Sequence, residues 1–122
     1  MLTKGAHHVA LDVKDIARSR LFYGDLLGLS EIDRPDFGLP GVWYQAGPVQ
    51  LHLIQVPEDL DVGHPPMAPT PLAHHIAFAV EATDSVKLEL ESAGYQVIAI
   101  GSEAKQIFVP DPDGNIIEFI ES

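Results

Sequence analysis

Residues 6–13 read Ala6-His7-His8-Val9-Ala10-Leu11-Asp12-Val13, and residues 73–80 read Ala73-His74-His75-Ile76-Ala77-Phe78-Ala79-Val80. Both segments open with Ala-His-His and continue in apolar residues that match or interchange, except that Asp12 stands where the second segment has Ala79. They lie 67 positions apart, counted from His8 to His75, and the same order of helix and strand signals follows each of them. We interpret the chain as an internal duplication, and its two copies hold four of the six histidines.

Length and composition limit the class of protein. The chain has 122 residues, which suits one domain, and 46% of them are apolar, which is enough for a core. Eighteen acidic residues against seven basic ones give a net charge of −11, so nucleic acid and anionic membranes are not expected partners. There is no cysteine for a disulfide or a thiolate metal site. No apolar run has membrane length and no secretory signal is visible, which predicts a soluble cytoplasmic protein.

The first copy of the repeat begins a module that covers about residues 6–56. Its helix is predicted to be capped by Asp15 and ended by Gly28. Alternation and turn residues predict four strands around this helix, at 7–13, 29–34, 42–46 and 49–56.

A proline-rich linker at about 57–72 precedes the second module, which covers about 73–122. A helix is predicted from Asp84 to Gly94, and strands are predicted at 74–80, 95–100, 106–109 and 115–121. The sequence therefore predicts an α+β fold of two tandem βαβββ modules, which must pair because one module cannot cover its own sheet.

Strand alternation separates the two histidines of each copy. Successive side chains of a strand point to opposite faces, so His8 shares a face with small or polar residues and His7 with bulky apolar ones. The second copy divides in the same way, with His75 on the roomier face and His74 among bulky neighbours. Because the bulky faces are expected to receive the helices, His8 and His75 are predicted to face a ligand.

The last strand of each module adds one more candidate. His52 and Glu118 each stand between apolar residues that face the other way, and they lie 66 positions apart, so the repeat nearly superimposes them. A carboxylate on the inner face of a buried strand is costly unless it is paired or bound to a metal. We therefore predict a divalent metal site with three nitrogen ligands and one oxygen ligand, formed by His8, His52, His75 and Glu118.

The other candidates have ordinary structural explanations. A single strand histidine is more often a hydrogen-bonded structural residue than a ligand. For His7, His74 and His64 we expect strand-start, supporting or linker positions, with an acid–base role for His64 as the alternative. Trp43 and Tyr44 can line a pocket, but hairpin aromatics usually belong to the core.

These motifs resemble the vicinal oxygen chelate superfamily of glyoxalase, bleomycin resistance and dioxygenase proteins, over nearly the whole chain. The segments that carry the resemblance are His8-Val9-Ala10-Leu11, Asp15, Phe22-Tyr23, Leu27-Gly28-Leu29, His75-Ile76-Ala77-Phe78, Asp111-Pro112-Asp113-Gly114 and Ile117-Glu118. The resemblance implies a cupped mixed sheet with the helices on its outer face and the metal on its concave face. It also implies ligands on the first and last strands of each module, a small-molecule substrate and, for short members, a homodimer.

At several positions the chain differs from the individual families of the superfamily. These differences argue against some of the families' activities but do not select one activity. Glyoxalase I enzymes carry a glutamate at the position of His52 and tend to carry a glutathione-binding arginine at the position of Asp12. Methylmalonyl-CoA epimerases usually carry a glutamine at the His52 position. Fosfomycin-resistance transferases use the equivalents of only three of the four ligands, extradiol dioxygenases use two histidines and one carboxylate, and bleomycin-type binding proteins typically lack the ligands.

The resemblance leaves three functions open. The first is a metal-dependent lyase or isomerase of the glyoxalase type that acts on a small substrate with neighbouring oxygens, with Glu118 as the catalytic base or, as the alternative, a metal-bound hydroxide. Its metal would be zinc, nickel, iron, manganese or cobalt. The second is an iron-dependent, ring-cleaving dioxygenase of the extradiol type. The third is a non-enzymatic protein that binds a small molecule and confers resistance.

Overall fold

The computed structural model describes residues 2–66, 68–101, 103 and 105–122. Contacts between Cα atoms divide the chain into two units, Met1–Val62 and Gly63–Ser122. Each unit has the element order βαβββ and a four-stranded mixed sheet of its own. The predicted α+β class and the two tandem modules are therefore confirmed.

The first unit has a helix between its first two strands. This helix, α1, spans Ile16–Arg20, and Asp15 caps it as predicted, because Asp15 Oδ1 accepts hydrogen bonds from the backbone N–H of Ala17 at 2.9 Å and of Arg18 at 3.3 Å. The strands are β1 (His8–Val13), β2 (Ser30–Ile32), β3 (Gly41–Ala46) and β4 (Val49–Gln55). They lie in the order β1-β4-β3-β2, with β1 parallel to β4 and the other pairs antiparallel.

Helix α1 continues as a wider, π-helical segment over Leu21–Leu26 rather than as the single regular helix that the sequence predicted. Phe22 and Tyr23 of this segment are completely buried. Gly28 follows with a φ of 78°, a left-handed conformation that suits glycine at a helix end. The predicted stop is therefore in place, although the last turn before it is wider than expected.

The second unit repeats this plan with helix α2 at Thr83–Ser92. Its strands are β5 (His75–Val80), β6 (Ile98–Ile100), β7 (Gln106–Pro110) and β8 (Ile116–Glu121). The order is β5-β8-β7-β6, with β5 parallel to β8 and the other pairs antiparallel.

Hydrogen bonds explain two of the boundaries of the second unit that differ from the predictions. Helix α2 begins at Thr83 rather than Asp84, because Glu121 at the end of β8 accepts a hydrogen bond from the Thr83 backbone N–H at 3.0 Å. Strand β6 begins at Ile98 rather than Tyr95, because the Tyr95 N–H is still bonded to a helix carbonyl, that of Leu90, at 3.0 Å. The first difference arises from a hydrogen bond to a distant strand, and the second from a local bond at the end of the helix.

Pairing register places equivalent residues of the two sheets in matching rows. In the first unit, Ala10, His52, Trp43 and Ile32 are opposite one another across the four strands. In the second unit, the corresponding row contains Ala77, Glu118, Phe108 and Ile98. His52 and Glu118 therefore occupy the same position of the repeat, as predicted.

Each sheet has a helix face and an opposite face, which we call the ligand face. On the helix face the first unit buries Val42, Leu51 and Leu53, each about 1% exposed or less, and burial of such side chains stabilises the fold by roughly 1.5–3 kcal/mol each. The edge strand β5 alternates as predicted, with half-buried Ile76 and Phe78 separated by exposed Ala77. None of the helices in the described part of the chain is long and apolar enough to cross a membrane.

Candidate functional site

The first unit brings two of the predicted ligands, His8 and His52, into contact. They lie on the neighbouring strands β1 and β4, and their rings stack with centroids 4.0 Å apart and planes 13° apart. His8 Nδ1 lies 2.9 Å from Nδ1 of His7, and His52 Nε2 lies 2.9 Å from the Gln50 side-chain oxygen. Because each of these rings has one nitrogen in such a contact, its second nitrogen is the candidate metal ligand.

Trp43 extends this pair into a stack of three rings. Its ring lies 4.0 Å from that of His52, with only 4° between the planes. Trp43 is half-buried on the ligand face, whereas the neighbouring Tyr44 is 1% exposed on the helix face. The general expectation of a core position is therefore right for Tyr44, while Trp43 lines the ligand face beside His52.

The surroundings of His52 favour its neutral form. Burial is the main cause that lowers the pKa of His52, and the nearby charges of His8, His7 and Arg34 lower it further. His52 is only 6% exposed. A neutral imidazole is the form that binds a metal ion, so this environment is suited to a ligand role.

The second unit brings the other two predicted ligands, His75 and Glu118, into contact. His75 Nε2 lies 3.1 Å from Glu118 Oε1, across the neighbouring strands β5 and β8. The Nδ1–H of His75 donates to the Ala73 carbonyl oxygen at 2.7 Å, which directs Nε2 at the carboxylate. A backbone carbonyl in this role is the usual support of a metal-binding histidine.

Glu118 is held in place although it is only 5% exposed. Its second oxygen, Oε2, accepts a hydrogen bond from the Gln106 side-chain amide at 3.2 Å. The ring of Phe108 meets His75 edge-on, with centroids 5.4 Å apart. A buried carboxylate with a histidine and an amide as its partners fits the oxygen ligand that the sequence predicted.

The four predicted ligands thus occur as two pairs, one in each unit, at equivalent positions of the repeat. Within the residues that the structure describes, no group of three or more histidine, aspartate or glutamate side chains is arranged to hold a metal ion. The complete set of four ligands stays a prediction. The donor chemistry of each pair, two imidazoles in one and an imidazole with a buried carboxylate in the other, is suited to a divalent ion.

The remaining histidines lie away from these pairs or beside them. His74 and His64 are exposed, and His64 Nδ1 is 3.1 Å from the carbonyl oxygen of its neighbour Pro65. His7 contacts His8 through its ring nitrogen. These placements agree with the linker, strand-start and supporting positions that we expected for the three side chains.

Sequence reasoning missed three polar side chains near the candidate ligands. Gln50 could have been found, because it stands two positions before His52 and so shares its face. Gln106 contacts Glu118 from the neighbouring strand, and only the pairing register reveals that contact. Arg34 follows β2 in an irregular segment, where no periodicity indicates the direction of a side chain.

Comparisons with known proteins agree with this fold. A protein from Bacillus anthracis assigned to the glyoxalase family is 29% identical, with a TM-score of 0.79 and coverage of 100% of this chain and 98% of that chain. A glyoxalase/dioxygenase from Nostoc punctiforme is 25% identical, with a TM-score of 0.78 and coverage of 98% and 91%. An antibiotic binding protein, TnmS3 from Streptomyces sp. CB03234, shares the fold at 17% identity, with a TM-score of 0.74 and coverage of 99% and 98%.

No protein of curated function matches the chain significantly. The family model of the Glyoxalase/Bleomycin resistance protein/Dioxygenase superfamily matches residues 5–119. That match includes both copies of the Ala-His-His repeat, both helices and the strand positions of all four candidate ligands. The chain belongs to the Glyoxalase/Bleomycin resistance protein/Dioxygenase superfamily.

Proposed function

We propose that the protein is a divalent-metal-dependent lyase or isomerase of the glyoxalase type, acting on a small substrate with two neighbouring oxygens. The observation that carries the proposal is the pairing of candidate ligands on the first and last strands of each unit. The His8 and His52 rings stack at 4.0 Å, and His75 Nε2 lies 3.1 Å from Glu118 Oε1. Membership of the superfamily supports the choice of these strands for a metal site.

In this proposal His8, His52, His75 and Glu118 hold the ion. A divalent ion bound by three neutral imidazoles and one carboxylate retains a net positive charge and would act as a Lewis acid towards a substrate carbonyl. The protein supplies the neutral state of His52 through burial and the fixed orientation of His75 through the Ala73 carbonyl.

Glu118 is the proposed proton acceptor. Its carboxylate takes a proton from the carbon next to the substrate carbonyl and returns it to the neighbouring carbon, so that the product is an isomer of the substrate. Gln106 holds Oε2 by a hydrogen bond, so Oε1, the atom facing His75, is the oxygen that would have to be released from the ion to take the proton.

Metal content is the direct test of the ligand set. We expect the reconstituted wild-type protein to bind a divalent ion, and His8→Ala and His75→Ala to bind it at least about tenfold more weakly, because each loses a ligand. His64→Ala is the matched control, since His64 is exposed and bonded to Pro65. A wild-type protein that takes up no divalent ion in elemental analysis would refute the ligand assignment.

Glu118→Gln tests the proton acceptor. In a hemithioacetal isomerase assay of the metal-loaded protein, we expect kcat to fall by roughly 10²–10⁴-fold, the usual contribution of a general base. Glu91→Gln, on the exposed side of helix α2, is expected to leave kcat unchanged. Full activity of Glu118→Gln at normal metal content would exclude Glu118 as the base.

A dioxygenase is the second enzyme candidate, and similarity to the glyoxalase/dioxygenase of Nostoc punctiforme favours keeping it. The two enzyme functions differ in their need for oxygen and iron. Turnover with zinc, nickel or cobalt and without oxygen consumption would support the isomerase. Oxygen uptake that requires iron would support the dioxygenase.

A binding protein is the non-enzymatic candidate, and the stack of Trp43, His52 and His8 favours it, because flat aromatic surfaces bind planar small molecules. Binding of a small molecule that survives both metal chelation and Glu118→Ala would favour this function over both enzymes. As in other short members of the superfamily, we expect a homodimer, which sedimentation of the purified protein measures.

A further inference from the structure

Two arginines of the first unit differ in their partners. Arg20 is paired, because its Nη2 lies 2.8 Å from Glu31 Oε1. Arg34 makes no hydrogen bond or ion pair with any residue that the structure describes, and its Nε is buried without a partner. In a chain with 18 acidic residues, an unpaired guanidinium with a buried donor is unexpected, since such a donor costs free energy until it is bonded.

The Arg34 guanidinium is nevertheless held in place by neighbouring groups. A Cβ on Gly41 would lie 2.7 Å from both Cζ and Nε of Arg34, so the arginine occupies the space that any other residue at position 41 would fill. On another side, Cζ lies 5.1 Å from the centroid of the Phe37 ring, a cation–π contact.

Arg34 reaches the ligand face beside the ring stack. Gly41 and Trp43 are two residues apart in β3, so a Cβ on Gly41 would point to the same face as Trp43. Phe37 connects the two, with its ring 6.0 Å from that of Trp43. Arg34 also borders an open cavity of about 450 Å³, whose lining includes Arg20, Glu31 and Asp33.

We propose that Arg34 recognises the carboxylate of a small organic acid, whose body lies against Trp43 and Phe37. A guanidinium presents parallel N–H groups to the two oxygens of a carboxylate, and the buried Nε of Arg34 faces Gly41, which leaves the terminal Nη groups as the donors for a ligand. The assignment of this acid as the substrate, for example a 2-oxo or 2-hydroxy acid, rests on the proposed function. The anion site itself does not depend on it.

Fluorescence of the protein gives a direct test, because Trp43 is the only tryptophan. The probe is benzoylformate, which combines a carboxylate, a neighbouring carbonyl oxygen and an aromatic ring, and its methyl ester is the neutral control. Both are titrated into chelator-treated protein and into zinc-loaded protein. The variants are Arg34→Met, Arg34→Lys and, as the matched control, Arg18→Met, whose arginine is exposed on helix α1 and does not line the cavity.

We expect Arg34→Met to weaken benzoylformate binding by about 10–100-fold, the range of a charged hydrogen bond, and to leave ester binding unchanged. Arg34→Lys is expected to be intermediate, because it keeps the charge and loses the forked pair of N–H donors. Arg18→Met is expected to match the wild type. The proposal is overturned if Arg34→Met binds benzoylformate as the wild type does, if the acid and ester bind equally, or if neither protein state binds the acid.

Two further measurements distinguish a carboxylate ligand from a phosphate ligand and test whether anion binding depends on the metal. Inorganic phosphate that competes with benzoylformate in wild type but not in Arg34→Met would support an anion site at Arg34 and shift the ligand from a carboxylate to a phosphate. Arg34-dependent binding in the chelator-treated protein would support the anion site even if metal analysis defeats the proposed function. Metal binding with no Arg34-dependent effect would leave the proposed function intact and defeat this inference.

Discussion

The two units share one backbone plan and present different chemistry at the same positions. In the row that crosses each sheet at the candidate ligands, the first unit has His52 beside Trp43 and the second has Glu118 beside Phe108. The first unit stacks its pair of rings, whereas the second forms a histidine–carboxylate contact at 3.1 Å. The repeat therefore fixes where a functional side chain stands, and the individual residues decide whether it is neutral or charged.

Gly41 marks a second difference between the two sheets, outside the candidate ligands. Its equivalent in the second unit is Gln106, since each lies opposite the residue two positions after the candidate ligand, Ile54 or Ile120. In the first unit the space is filled by Arg34, whereas in the second a side chain at this position bonds Glu118. The same position of the repeat thus leaves space for Arg34 in one unit and provides a hydrogen bond to Glu118 in the other.

Gly41→Ala is expected to have the largest effect on stability. The added Cβ would lie 2.7 Å from the Leu53 carbonyl oxygen as well as from Arg34, so strand pairing must shift with the side chain. We expect the free energy of unfolding, measured by urea denaturation, to fall by about 1–3 kcal/mol. Gly24→Ala is the control, because its Cβ would meet only Tyr44, at 3.4 Å. Equal stability of the two variants would show that the space beside Arg34 is adaptable.

Gln106→Met is expected to have a smaller effect. It removes the hydrogen bond to Glu118 Oε2 at similar side-chain volume, which we expect to cost about 1 kcal/mol in the same measurement, because the carboxylate is buried. Gln45→Met removes a bond to the Gly47 carbonyl in an exposed turn, where water replaces the amide, and serves as the control. A loss in Gln45→Met as large as in Gln106→Met would mean that burial of Glu118 does not strengthen its bond.

Local patterns predicted most of the fold. Alternation around His75 and the caps at Asp15 and Gly28 are properties of neighbouring residues, and the strands and helices appear near their predicted positions. The equivalence of His52 and Glu118 also came from the sequence, because the repeat supplies a register without a structure. These features depend on spacing along the chain and could therefore be predicted from the sequence.

Contacts between distant segments were not accessible to the same reasoning. Arg34 follows a short strand, and its meeting with Gly41 depends on the pairing of β2 with β3. The bond from Gln106 to Glu118 likewise requires the register of β7 against β8. The start of helix α2 at Thr83 is determined by Glu121, 38 residues further along the chain. In each case the decisive partner lies on another element.

The two units also differ in the side chain that accepts a hydrogen bond from the start of the helix. In the first unit the backbone N–H of Ile16 donates to the side-chain oxygen of Gln55 at 3.0 Å. In the second, the backbone N–H of Thr83 donates to Glu121 Oε1 at 3.0 Å, and the Thr83 hydroxyl donates to the same atom at 3.1 Å. Gln55 and Glu121 both stand three residues after a candidate ligand, so a neutral amide and a carboxylate perform the same task.

This difference predicts a pH dependence in the second unit alone. The hydrogen bonds from the Thr83 backbone and then from its hydroxyl lower the pKa of Glu121 below its ordinary value of 4.5 in the folded chain. The unfolded chain therefore takes up the proton first, and the stabilisation from Glu121 is fully present above pH 4.5 and is lost as the pH falls through the lowered folded pKa. The corresponding bond to Gln55 does not titrate in this range.

Exchanging the two residues tests this reasoning with the smallest expected change. Glu121→Gln is expected to keep the helix start, as Gln55 does, and to lose less stability than the wild type between about pH 7 and pH 3.5 in urea denaturation. Gln55→Glu is expected to do the reverse, losing more than the wild type over the same range, because the Ile16 N–H would then bond a titrating group. If the free energy of unfolding of the wild type and both variants changes with pH in the same way, then protonation of the carboxylate bonded to Thr83 does not affect stability, and this explanation is wrong.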